Sequence, residues 1–559
     1  MKYSAESANV DVNLKTEHKS EHSESEIWPL LVGVGCLWLS IVILWLASLY
    51  KDDWRLIYPL DDTYIHMAIA KNLVVHHLWG VTRYEFTWTS SSPLWTAILA
   101  SGYWCLGVRI GVPLVLNAVL ATAACVFAWF AFRRRGLAPG QVLVAMLALI
   151  FLTSIPSLTM LGMEHVLQLL ADCGFIYLAS QSLADSGSEW PIGLIAIAPV
   201  VTTARYEGLF LIIPAVCLFA LRGRFAAAAL IFVAAITPIV GLGVWSMGHG
   251  WYFLPSSLMM KGNLPQHLSL SALFEFISRP AFNLFQAPWL LVLGAVAGVV
   301  FYRLLKKSRT IWTWPGVALA MYLVMLAADV TLSRTGMSWY SRYDAYLVGC
   351  AVFIFACCWN DPGCESLAAL LPSHEASLGM RIATIAIAVA VVSRAVLTTI
   401  LIPGGTNMIY SEQYQVARLL DDYYGGQSVA LNDIGIAAYM SDVKITDLFG
   451  LATMEATKAQ RENKFYTSTL EQICSAEGVK IAIVYRHVFR SQVFRHGNPR
   501  GWIEVDSTGL LKPLSGGGPV FVFYGVGQEQ ANLLRAHLDE FRRSLPPSMQ
   551  TTGADDRSG

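Results

Sequence analysis

Apolar runs dominate the first four hundred positions of the chain and stop soon after. Ile27–Tyr50 is the first of them. It is too long for the core of a signal peptide and lacks a small-residue cleavage site, so it reads as a retained anchor. A crossing takes about 20 apolar residues. On that rule the pattern predicts further spans at 111–132, 140–158, 163–181, 191–204, 207–221, 225–246, 287–304, 313–331, 344–359 and 381–402. With the anchor they make about eleven. Pro93–Val108 is apolar but only about 16 residues long, which suits a juxtamembrane helix better than a crossing. Ahead of the anchor, residues 1–26 are rich in Ser, Glu and Lys with no apolar face, and read as a disordered cytoplasmic tail.

After 402 the pattern changes. Ser428–Leu431, Val443–Thr446, Val479–Tyr485, Trp502–Val505 and Val520–Tyr524 are short β-rich runs between Gly, Asp and charged turns. Helical stretches lie near 411–424 and 528–543. Residues 403–545 therefore read as a compact α/β domain, and 546–559 as a disordered tail. The expected fold is mainly α: a polytopic membrane helical bundle over 27–402 that carries this C-terminal α/β domain.

Composition agrees, since 55% hydrophobic and 14% charged residues exclude a soluble enzyme of this length. A net charge of zero and no basic stripe interleaved with aromatics argue against a nucleic-acid partner. The ten cysteines are scattered, and only Cys474 falls in the polar C-terminal third, so neither a disulfide framework nor a Cys-x-x-Cys metal site is expected there.

Charge then orients the bundle. If the N-terminus is cytoplasmic and 93–108 does not cross, Arg133–Arg135, Arg222, Arg224, the cluster Arg303, Lys306, Lys307 and Arg309, and Arg381 all fall inside, as the positive-inside rule requires. Segments 51–110, 159–162, 205–206, 247–286, 332–343 and everything after 402 are then outside.

Ionisable groups at membrane depth are costly, and several gather on that outer side. Asp61 and Asp62 open the first external loop, 51–110, followed by His66, Lys71, His76 and His77. Ile65, Ile69 and Leu73 recur every four residues, predicting an amphipathic helix on the membrane surface. One Asp can cap that helix while the other faces a cleft. Glu164 and His165 stand where a short outer turn enters a span, with Asp172 two turns further in; an ordinary interface acid is the other reading. Arg205-Tyr206-Glu207 joins two short apolar runs, as broken helices do at intramembrane sites, or it is simply an Arg–Glu pair. Lys261 and Arg342 add positive charge on the acids' side. Asp329 and Arg394 lie near span ends, where snorkelling keeps a charge wet. His76 and His77 have no ligand spacing and read as solvated surface.

A cavity with a carboxylate and several cations, open to lipid, suits transfer from a lipid-phosphate donor. The carboxylate takes the proton of an attacking hydroxyl, and Arg or Lys stabilises the charge growing on the leaving phosphate. A single displacement inverts the anomeric carbon. A secondary transporter or flippase of lipid-linked sugars shares many of these features, and a non-catalytic envelope scaffold is a third reading.

DDTYIHMAIAKNLVVHHLWGVTRYEFTWTSSSPLWTAILA, Asp61–Ala100, resembles the first external loop of the C-type (GT-C) membrane glycosyltransferases, closest to the bacterial group that includes the mycobacterial arabinofuranosyltransferases. LGMEHVLQLL (161–170), ARYEGLFLIIP (204–214), FLPSSLMMKG (253–262), SRYDAYLVG (341–349) and VALNDIGIAAYMSDVKITDLFGL (429–451) follow in the order expected of that group. Tyr206 stands where a Pro is expected, and no Asn follows Pro255. The resemblance implies a polyprenyl-phosphate-linked sugar donor and a glycan or lipid acceptor in the outer leaflet region of a bacterial inner membrane. It implies Asp61 as the favoured base and Asp62 as acceptor ligand or helix cap, with the order open. Glu164 and His66 would assist the acceptor, and Arg205, Lys261 and Arg342 would hold the donor phosphate. No cofactor is required; a divalent cation held by Asp61, Asp62 and Glu164 is the alternative.

Overall fold

The computed structural model of the chain describes residues 4–185, 190–261, 270–333, 340–364, 378–485, 488, 493–494, 497–507 and 521–545. The side chains of 4–26, Lys261 and 378–388 fall outside the described residues, as does the predicted tail 546–559.

Helices follow the apolar runs. In chain order they are α1 (Ser4–Lys51), α2 (Asp61–His76), α3 (Pro93–Leu106), α4 (Val112–Arg134), α5 (Pro139–Leu152) and α6 (Ile155–Met160). Next come α7 (His165–Ala184), α8 (Ile192–Ala204), α9 (Leu209–Leu221), α10 (Phe225–Gly248), α11 (Ser256–Lys261) and α12 (Leu270–Gln286). The bundle closes with α13 (Pro288–Ser308), α14 (Trp314–Leu332), α15 (Ala345–Cys357) and α16 (Leu378–Ser411). Among the described residues seven helical segments are long and apolar enough to cross a membrane. Four shorter apolar helices, α5, α8, α9 with the turn before it, and α15, occupy further predicted spans. At 14 residues, α3 is too short for a crossing.

Three expectations need correction. The helix of α1 extends back into the polar segment 1–26, where a disordered tail is expected; a helix already started propagates outward without a new nucleation cost. The run 140–158 is not one helix, because Ser154 takes left-handed backbone (φ 62°) and divides α5 from α6. The span predicted at 381–402 does not end there, for α16 runs on through Pro403 to Ser411. Its end is strapped to the end of α1: Asn407 Nδ2 donates to the Lys51 carbonyl (2.7 Å), and Tyr410 donates to Asp53 (2.9 Å).

The C-terminal domain begins with α17 (Gln413–Tyr423) and β1 (Ser428–Leu431), then α18 (Gly435–Met440), β2 (Lys444–Asp447), α19 (Met454–Arg461) and α20 (Thr467–Ala476). It ends with β3 (Ile481–Tyr485), β4 (Trp502–Asp506), β5 (Phe521–Val526) and α21 (Gln528–Ser544). All five predicted strands form, within a few residues of where the pattern puts them. The sheet order is β2-β1-β3-β5-β4, parallel across β2-β1-β3 and antiparallel across β3-β5-β4. β3 is buried along its whole length, as a central strand covered on both faces must be.

One face of this sheet does not stop at the domain. Ile65, Ile69, Trp79 and Trp88 of the first loop share a core with Val429, Leu431, Ile483 and Leu534. Tyr64, Met67 and Ala70, on the other side of α2, pack with Trp95 and Leu99 of α3. So α2 is not a surface-lying amphipathic helix; it is buried on two sides, between α3 and α18. Each isoleucine buried in this way stabilises the docking by about 1.5–3 kcal/mol.

Candidate active site

The acid pair sits in the first turn of α2, and neither carboxylate caps that helix, whose N-cap is Leu60 with no side-chain bond. Asp61 instead caps a different helix. Its two oxygens accept from the backbone N–H of Gly435 (2.7 Å) and of Ile436 (2.9 Å), at the start of α18. Gly435 is required by the closeness of this contact, since a Cβ there would lie 2.1 Å from the Asp61 carbonyl oxygen. Gly435→Ala is therefore expected to push α18 off α2 and to cost about 1–3 kcal/mol. A fall in the unfolding temperature of the purified protein, with faster proteolysis of the first loop, is the measurement.

Asp62, one position on, points elsewhere. Its carboxylate accepts from Arg342 Nη2 at 2.5 Å, and its side chain keeps 26% of its surface exposed. Arg342 is itself buried and also donates to Tyr343 (2.8 Å). The ring of Tyr343 lies between two guanidinium groups, 4.7 Å from that of Arg342 and 5.8 Å from that of Arg205.

Arg205 is delivered by the broken helix that the two short apolar runs predict. α8 ends at Ala204, Arg205 is extended, and a 3-10 turn at Tyr206–Gly208 leads into α9. Its guanidinium is taken on both sides: Nη1 donates to Glu164 (2.6 Å), and Nε and Nη2 donate to Glu207 (3.2 and 2.7 Å). Two carboxylates around one guanidinium leave no surplus positive charge for a phosphate. Glu164 is fully buried at the head of α7. The turn before it has Gly162 in left-handed backbone (φ 69°), packed under Tyr58 and Thr63, and Thr63 donates to the Leu161 carbonyl (2.7 Å). The same turn thus fastens Glu164 to the first turn of α2.

His66 is buried one helical turn beyond the acid pair. Nδ1 is 2.9 Å from Thr96 Oγ1 and 3.3 Å from Ser90 Oγ, while Nε2 is 3.8 Å from Glu164 Oε2. His165 is buried with neither ring nitrogen hydrogen-bonded among the described residues, and Arg342 Nε and Glu164 Oε2 likewise donate or accept no hydrogen bond, Oε2 having only the 3.8 Å approach of His66. Buried polar atoms are normally satisfied, so four such atoms near Arg205 and Arg342 mark a place where ordered water or a polar ligand would be held. Asp61, Asp62 and Glu164 do not form a ligand set. Among the described residues no three His, Cys, Asp or Glu side chains are grouped to hold a metal ion. The expected phosphate ligand Lys261 ends α11, its side chain outside the described residues. His76 and His77 are exposed.

Four further residues complete the site, and of these only Arg394 was noted in the sequence, as a cation near a span end. Tyr343 is one. Asp344 and Arg394 hold the turn that carries Arg342: Arg394 Nε and Nη2 donate to Asp344 (3.0 and 3.2 Å), and Nη2 also donates to the Ser341 carbonyl (2.9 Å). Arg394 is 2% exposed and does not snorkel. Asp329, also buried, accepts from Tyr346 (2.8 Å). The fourth, Asp433, lies just after β1 within the NDIG turn; Gln413 donates to it at 2.6 Å. The legible signal was an acid between a strand and a short helix, in a segment that already carried the family resemblance.

Burial raises the carboxyls of both Asp61 and Asp433 above the ordinary carboxylate range. The charge of Asp61 raises Asp433 further, and the two N–H groups of α18 oppose the rise at Asp61. A raised acid binds its proton more tightly folded than unfolded, so stability rises as pH falls from above the folded values toward the ordinary range. The unfolding temperature is expected to be higher at pH 5 than at pH 8, a difference of one pKa unit between the folded and unfolded states being worth on the order of 1.4 kcal/mol of stability. Asp433→Asn should flatten that rise in a thermal melt across the same range.

Residues 406–524 match a family described as a domain of unknown function, DUF8728. No curated protein sequence matches the chain. Among solved structures it is similar to ArnT from Cupriavidus metallidurans bound to undecaprenyl phosphate, with a TM-score of 0.51 at 11% identity over 89% of this chain and 99% of that one. It also aligns with the arabinofuranosyltransferase AftD from Mycobacteria, at 14% identity over 88% of this chain and 40% of that one, with a TM-score of 0.35 that bears no weight. Over most of its length the chain thus has a fold similar to that of ArnT.

Proposed function

We propose, for a chain with the C-type glycosyltransferase fold, that it moves a sugar from a polyprenyl-phosphate donor to an envelope acceptor at the outer face of a bacterial inner membrane. The observation that carries this reading is the Asp62–Arg342 pair: a part-exposed carboxylate and a buried guanidinium 2.5 Å apart, beside buried polar atoms without partners. Asp62 is the base and Asp61 the residue that fixes it, the reverse of the order that the resemblance favours, because both oxygens of Asp61 are spent on α18.

The donor phosphate draws Arg342 away from Asp62. The freed carboxylate takes the proton of the acceptor hydroxyl as its oxygen attacks the anomeric carbon, and the sugar–phosphate bond breaks with inversion. Arg342 stabilises the charge left on the phosphate. His66 and Glu164 orient the acceptor, and Arg205 serves to hold Glu164 and Glu207 rather than the phosphate. No step of this scheme calls on a cofactor.

Purified protein supplied with radiolabelled polyprenyl-phosphate sugars and membrane acceptors tests the reading. Transfer that depends on Asp62 is expected. Substrate uptake into vesicles with no transfer from any donor would replace it with the transporter.

A further inference from the structure

At the far end of α2 from the acid pair, the first loop and the C-terminal domain enclose a cavity of about 220 Å³. Lys71, Arg83 and Tyr84 line it from the loop; Asp421, Ser441 and Asp442 line it from the domain. Lys71 Nζ donates to the Tyr439 carbonyl at 2.6 Å and lies 5.6 Å from that residue's ring centre. Arg83 pairs with Asp442, and the Tyr84 hydroxyl donates to Asp442 Oδ1 at 3.0 Å. Tyr84 is 39% exposed as a residue, with the Arg83 guanidinium over one face of its ring, 5.2 Å from the ring centre.

The lining mixes groups that only donate hydrogen bonds, Lys and Arg, with groups that only accept them, the two aspartates. A phosphate wants donors alone and is repelled by Asp421 and Asp442. A metal cation wants acceptors alone and is repelled by Lys71 and Arg83. Adjacent hydroxyls of a sugar ring donate and accept at once and so use both sets, while the Tyr84 ring, on the face away from Arg83, would take the C–H side of the sugar. Position narrows the ligand further. Lys71 is ten residues along α2 from Asp61, about 15 Å at the helical rise, so a unit bound here is neither the one whose hydroxyl attacks nor the one whose anomeric carbon is attacked.

We propose that this cleft binds a neutral sugar unit of the acceptor, several units from the reacting end, and therefore that the acceptor is an oligosaccharide chain rather than a lipid headgroup or a protein side chain. The inference rests on the transfer reading of the acid pair and gives that reaction its acceptor class.

Full-length protein in detergent is titrated with neutral pentose and hexose disaccharides and with longer linear oligomers of the same sugars, binding being followed by saturation-transfer NMR. The longer oligomers are expected to bind and the disaccharides to bind weakly. Tyr84→Ala and Asp421→Asn are each expected to weaken oligomer binding about fivefold, the worth of one hydrogen bond, with binding of undecaprenyl phosphate unchanged. Asp421 is exposed on α17, so its amide variant leaves the loop–domain contact intact. If no oligomer binds, or both variants bind as the wild type does, the cleft is a solvent gap and the inference is wrong. If oligomers bind as expected and no donor supports transfer, the transferase reading falls while the glycan site stands.

Discussion

Asp62→Asn is expected to lower sugar transfer by about 10²–10⁴-fold, the usual worth of a positioned base, and at the same time to tighten the binding of undecaprenyl phosphate. The two halves of this result have one cause. In the resting protein Asp62 occupies the guanidinium of Arg342 at 2.5 Å, so an arriving phosphate must displace a carboxylate to reach it. Removing that charge removes the competitor, and a charge-assisted bond of roughly 1.5–3 kcal/mol becomes available to the ligand. Affinity should rise about tenfold on this account. Initial rates and equilibrium binding on the same preparation separate the alternatives. A loss of both would mean that Asp62 is needed to place Arg342, and the exchange of partners would have to be abandoned.

Arg394→Ala is expected to cost about 3–5 kcal/mol of stability, because it leaves Asp344 buried with its charge uncompensated. The local backbone makes the loss worse. Tyr340 (φ 63°) and Ser341 (φ 48°) both take left-handed backbone, uncomfortable for residues with a Cβ, and Arg394 holds the Ser341 carbonyl directly. Trp289 also donates to Asp344, so the turn 340–344 is pinned from α13 and α16 at once. Losing one pin should lower the unfolding temperature and weaken undecaprenyl phosphate binding together. Arg394→Lys tests the geometry: it restores the charge but not the two-pronged contact, and recovery of stability without recovery of binding is the expected split. Full binding by Arg394→Ala would show that Arg342 is positioned without this turn.

Much of the architecture was legible because period and length leave strong marks. Five β-rich runs became five strands, and the short runs flanking Arg205 became the broken helix they suggest. The same marks misled at α2. Ile65, Ile69 and Leu73 make one apolar stripe, but Tyr64, Met67 and Ala70 make a second, and only the folded chain shows that α18 covers the first while α3 covers the second. The acid pair shows the limit most clearly. That Asp61 and Asp62 differ in role followed from the 100° between neighbouring helical positions; which does what could not, since the partners of Asp61 are 374 and 375 positions away. Arg205–Glu207 was visible as a neighbouring pair, whereas the third member, Glu164, needed the fold to arrive. Asp433 was missed, and Arg394 was read as a snorkelling cation, for the same reason, each being ordinary in its own segment.

The unbroken run of α16 has a mechanical consequence. Thirty-four residues of helix reach about 50 Å at the helical rise, against a hydrocarbon core of about 30 Å, so the rod stands well clear of the bilayer before the chain turns into α17. A rod that continues past its base is a lever. A tilt of α16 within the bundle carries the start of the domain with it, and Asp61, gripping α18, couples that motion to the loop. Swings of the domain and shifts of the acid pair are thereby geared to one another, and severing the chain at 403 would cut through the shaft.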